Sequence, residues 1–103
     1  MKKVKLEVQY FKGCPNGPAM LETAREVLSE MPEGSIEYKE TPVESDTEAN
    51  EIGFRGSPTL LINGEDFTGM PEPEEPVMSC RYYPDGLPEK NKIKSKISGL
   101  MIL

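Results

Sequence analysis

The chain contains no histidine. That absence removes a Cys–His protease, a His-ligated zinc site and most imidazole-based acid–base catalysis together. Cysteine is scarce as well, present only as Cys14 and Cys80. Two cysteines are too few for a secreted disulfide scaffold, and without CxxC spacing they do not suggest a zinc site. In a reducing compartment such thiols stay reduced unless they do redox work. Basic charge is in deficit: 12 Lys and Arg stand against 18 Asp and Glu, a net charge of −6. A general nucleic-acid binder, usually basic, is therefore not expected. No apolar run approaches the roughly 18 residues that cross a membrane. After Met1-Lys2-Lys3, Lys5, Glu7 and Gln9 interrupt the segment where a signal peptide needs its apolar core. The expectation is a cytoplasmic chain, monomeric, without membrane or nucleic-acid partners. At 103 residues it forms one domain over 1–103 with one core.

What the chain does have is ordered periodicity. Val4, Leu6, Val8 and Tyr10 alternate with polar residues and predict a strand over 3–11. Met20, Leu21, Ala24, Val27, Leu28 and Met31 follow at helical spacing, with prolines 15 and 18 near the start and Pro32 and Gly34 beyond the end. Residues 35–40 alternate again, so the first forty residues predict a βαβ unit with parallel strands. Ser45 with Glu48 is a capping-box pattern and predicts a short acidic helix over 44–54. Thr59 to Ile62, Asn63-Gly64 and Glu65 to Thr68 predict a β-hairpin. Residues 69–76, acidic and proline-rich, predict an exposed loop. Val77 to Tyr83 has strand composition, and its apolar–aromatic character favours packing over chemistry for Cys80. Pro88 opens a last helix with Ile93, Ile97, Leu100 and Met101 on one face. Its lysines 90, 92, 94 and 96 are expected on a solvated face.

Cys14 falls at the junction of the first strand and first helix. There the positive end of the helix dipole favours a thiolate, the reactive form of cysteine. This order of elements, with Gly13-Cys14-Pro15-Asn16-Gly17 at the junction and Arg55-Gly56-Ser57-Pro58-Thr59 opening the third strand, resembles the thioredoxin-like superfamily. Within it the chain looks most like small proteins with a glutaredoxin-sized core. The resemblance covers about residues 3 to 70. It implies an α/β fold with a mixed sheet of four to five strands flanked by about three helices. It also implies that Cys14 is the nucleophile, that Ser57–Pro58 is cis, and that the Ser57 backbone pairs with an extended substrate. Pro15, Asn16, Gly17, Ser57 and Pro58 become the implied substrate contacts. Lys12, two residues from the thiol, is a candidate for tuning its pKa.

The chain departs from the usual Cys-x-x-Cys motif, because Gly17 stands where the resolving cysteine would be. Three outcomes stay open: resolution by glutathione or another small thiol, resolution by Cys80, or a redox-silent site. No bound cofactor is expected. The Cys-Gly-Phe-Ser motif of cluster-binding monothiol glutaredoxins is absent. Two readings of function follow. One is a thiol–disulfide oxidoreductase or thiol-binding protein whose partners are thiol- or disulfide-containing proteins or small molecules. The other is a non-catalytic module that binds a peptide without redox turnover.

Overall fold

Alternation in the first strand decides the architecture. The computed structural model describes residues 3–102. Strand β1, Val4–Tyr10, lies in the middle of a four-stranded sheet. Helix α1, Gly17–Glu30, crosses back to strand β2, Ile36–Pro42, which pairs parallel with β1 from Val4↔Ile36 to Tyr10↔Pro42. Helix α2, Asp46–Ile52, leads to strand β3, Thr59–Ile62, antiparallel to β1 with Leu6 opposite Ile62. Strand β4, Glu65–Asp66, completes the order β2-β1-β3-β4. Helix α3, Lys90–Ile102, closes the fold. No helix among the described residues is long and apolar enough to cross a membrane.

The sheet has one fully covered face. Val4, Leu6 and Val8 of β1 and Leu60 and Ile62 of β3 point to it, because side chains two apart share a face. Met20, Ala24 and Val27 of α1 and Ile93 and Ile97 of α3 lie over them, all fully buried. At the ends of the two helices Lys90 and Lys94 both reach Glu30, at 2.7 and 2.8 Å. These two lysines thus clasp α1 rather than simply facing solvent. A second, smaller cluster of Val43, Ala49 and Phe54 is built around α2. The Ser45 hydroxyl accepts from the Glu48 N–H at 3.1 Å, and Gly53, at φ +66°, supplies the left-handed residue that ends this helix.

Two expectations need correction. The hairpin's second strand stops at Asp66 instead of Thr68. The Asp66 carboxylate accepts from the backbone N–H of both Thr68 and Met70, which turns the chain out of the sheet. Val77 to Tyr83 forms no strand, only an isolated bridge between Ser57 and Cys80. Val77 and Tyr82 stay exposed, so this segment lacks the buried alternation a strand would need.

Candidate thiol site

Ser57 is the hub of the site and is fully buried. Its hydroxyl accepts from the Phe11 N–H at 3.1 Å, which ties the end of β1 to the loop before β3. Its N–H donates to the Ser79 carbonyl at 2.8 Å, and its carbonyl accepts from the Arg81 N–H at 2.8 Å. The Cys14 thiol donates to that same carbonyl, with Sγ 3.1 Å from the oxygen. The peptide bond between Ser57 and Pro58 is cis. Helix α1 begins at Gly17, with Asn16 at the N-cap position making no side-chain capping bond, so Cys14 lies in the turn before the helix rather than in its first turn. The Gly17 N–H closes that turn on the Cys14 carbonyl at 3.2 Å. Pro15 and Asn16 are exposed beside it, whereas Gly17 is buried.

The second cysteine arrives from far along the chain. Cys80 is the bridge partner of Ser57 and lies exposed, while Cys14 is only 4% exposed; both are free thiols. The facing Cys14 thiol is the main cause pushing the Cys80 pKa up, so Cys80 holds its proton more firmly than an ordinary cysteine. Cys80 therefore does not pack in the core as its apolar neighbourhood suggested. The extended substrate expected at the Ser57 backbone also meets an obstacle, because Ser79 and Arg81 already take both backbone groups.

Residues outside the expected set hold Cys80 in place. The Arg81 guanidinium forms a fork with the Asp66 carboxylate at 2.6 and 3.0 Å. These side chains are only 6% and 2% exposed. Burial alone would raise the Asp66 pKa. Hydrogen bonds from Arg81, Thr68 and the Met70 backbone outweigh it and hold the group at about 2. Arg81 also lies over the Tyr83 ring, 4.7 Å from its centroid, and the Tyr83 hydroxyl donates to the Pro58 carbonyl. Burial pushes the Tyr83 phenol up to about 12, so it remains a donor at neutral pH. Gly56 sits at φ +104°, and a Cβ there would come within 2.9 Å of the Arg81 Cβ. The bare backbone of Gly56 lets this segment lie flat against the loop. One sequence signal could have found Arg81: a lone cation in an apolar–aromatic run needs a buried anion.

Beside Cys14 a groove of about 180 Å³ opens between Tyr10, Phe11, Pro18 and Leu21, with the exposed Lys12 also on its wall. The site thus gathers Cys14, Ser57, Pro58 and Cys80 at one end of the two central strands, β1 and β3, with Lys12, Pro15 and Asn16 at its outer side.

No protein-family model matches the chain. It is 38% identical to a thioredoxin of Methanocaldococcus jannaschii over 76 residues, which are 72% of this chain and 88% of that protein. Identity at this level over most of both chains, joined to the mixed β2-β1-β3-β4 sheet and its helices, places the chain in the thioredoxin-like superfamily.

Proposed function

We propose that this thioredoxin-like redox protein is a thiol–disulfide oxidoreductase that works with Cys14 and Cys80 as a pair. One observation carries the reading: both cysteines meet at the Ser57 backbone, one by its thiol and the other by its main chain. Cys14 makes the first attack, because it lies at the strand–helix junction and opens on the groove between Tyr10, Phe11, Pro18 and Leu21. It gives its proton to solvent, its thiolate forms a bond to one sulfur of a substrate disulfide as the S–S bond breaks, and the other sulfur leaves as a thiolate that takes up a proton. Cys80 then gives its proton to solvent and attacks the Cys14 sulfur. The Cys14–Cys80 disulfide forms and the second substrate thiol is released. The substrate has gained two electrons and the protein dithiol has lost them. An external dithiol reductant restores the protein. Gly17 takes no part, because the second thiol comes from Cys80 rather than from the fourth position of the motif.

The peptide-binding alternative finds less support. A module of that kind needs a free edge at Ser57, and that edge is taken. The test is turnover of hydroxyethyl disulfide driven by dithiothreitol. Cys14→Ser is expected to abolish it, and Cys80→Ser to stop after one step with the substrate thiol linked to Cys14. Activity that survives Cys14→Ser would refute the reading.

A further inference from the structure

Ser57 carries one backbone N–H donor and one carbonyl with two acceptor positions. All three are used: the N–H by Ser79, the carbonyl by the Arg81 N–H and the Cys14 thiol. An extended polypeptide adds to a sheet edge through those same groups. It can do so here only by displacing residues 79–81. That displacement is resisted from three sides. Asp46 accepts from the Met78 N–H at 2.9 Å. Asp66 grips Arg81, and Tyr83 is tied to Pro58. Cys14 keeps another approach, the groove bounded by Tyr10, Phe11, Pro18 and Leu21. At about 180 Å³ it is smaller than the roughly 300–1,000 Å³ of pockets that hold drug-sized ligands. Its wall is mostly apolar, and Lys12 is the one charged side chain on it, whose charge suits a carboxylate on a small ligand.

We infer that residues 79–83 form a specificity strap: they close the Ser57 edge to polypeptides and leave Cys14 to low-molecular-weight disulfides that enter by the groove. This rests on Cys14 being an exchanging thiol, as proposed above. Exchange follows the balanced step already written, with the small disulfide as oxidant. A carboxylate on that disulfide sits by Lys12.

The test uses the full chain carrying Cys80→Ser, so that reaction stops at the mixed disulfide on Cys14. Three probes are compared by mass spectrometry over time: dithiodipropionate, hydroxyethyl disulfide and an unstructured peptide bearing a mixed disulfide with the same small thiol. The peptide is expected to react at least about tenfold more slowly than hydroxyethyl disulfide, because its rate scales with the fraction of molecules whose strap is open. Adding Tyr83→Phe, or separately Arg81→Met, is expected to raise the peptide rate about three- to tenfold and leave the small-probe rates nearly unchanged. Tyr83→Phe keeps the ring, so it serves if Arg81→Met does not fold. Lys12→Gln should slow dithiodipropionate alone. A peptide that reacts as fast as hydroxyethyl disulfide overturns the strap while leaving Cys14 reactive. If no probe reacts, the exchanging thiol itself is wrong and the strap's role falls with it.

Discussion

Arg81→Met removes the guanidinium while keeping most of the side-chain volume. It breaks the fork with Asp66, the bond to Thr68 and the contact over Tyr83. Deleting one partner of a buried ion pair costs about 3–5 kcal/mol, since the other charge is left uncompensated. Asp66 still accepts from the Thr68 hydroxyl and from the Thr68 and Met70 N–H groups, which offset part of that loss. We therefore expect about 2–3 kcal/mol of destabilisation at pH 7. For a domain of this size that lowers Tm by roughly 10–20 °C. Urea titration at several pH values gives a sharper check. The folded-state pKa of Asp66 is depressed to about 2 from an ordinary 3.8. Its ionised form therefore stabilises the fold above the ordinary value, and that contribution fades as pH falls through about 2. It amounts to at most about 2 kcal/mol, nearer 1 after solvent screening. In Arg81→Met the carboxylate loses its strongest partner and protonates at higher pH. The stability gap to the parent should narrow on acidification. Asp66→Asn combined with Arg81→Met should be no worse than Arg81→Met alone. A variant within about 0.5 kcal/mol of the parent at pH 7, the range of ordinary surface changes, would refute the claim that this pair anchors the Cys80 segment.

Other outcomes follow from the same geometry. Cys14→Ala takes away the main group that raises the Cys80 pKa, so Cys80 should alkylate faster at pH 7 and its pH–rate profile should move to lower pH; an unmoved profile would show that the thiols do not interact. Gly56→Ala forces a Cβ toward Arg81 at a left-handed φ; a loss of about 2 kcal/mol in urea titration is expected, and a neutral result would count against close packing there. Ser45→Ala removes the cap of α2 and should cost about 1 kcal/mol, with no change in the alkylation rate of Cys14. A fall in that rate would tie the α2 cap to the thiol site.

The first two-thirds of the fold was legible because its signals are local. Alternation from Val4 to Tyr10, the Ser45–Glu48 cap and Asn63-Gly64 each specify their own geometry within a few residues. The segment after Asp66 was less so. Its shape depends on Asp66 turning the chain out and then receiving Arg81 from 15 residues away. Composition read Val77 to Tyr83 as a strand, but the segment is held by one bridge, one buried ion pair and the hydrogen bonds of Met78 to Asp46 and Tyr83 to Pro58, and none of these leaves a periodic trace. The site divided the same way. The junction pointed to Cys14 and the family resemblance to the Ser-Pro loop, whereas the position of Cys80 depends on a long-range pairing with Ser57.

That pairing alters what Gly17 means. A motif with one cysteine reads as an incomplete site, yet the fold brings the other cysteine of the chain to the same backbone group. A single-cysteine motif can thus belong to a two-cysteine site whose second member is fixed by tertiary structure. The selectivity such a site would show then depends on the strap that delivers Cys80.

The most direct measurement is a redox titration of the intact protein in dithiothreitol buffers, with proteolytic peptide mapping at each potential. One two-electron transition is expected, in which the oxidised form yields a peptide linking Cys14 to Cys80 within one chain and remains monomeric. Cysteines oxidised only singly, or linked only between chains, would contradict it.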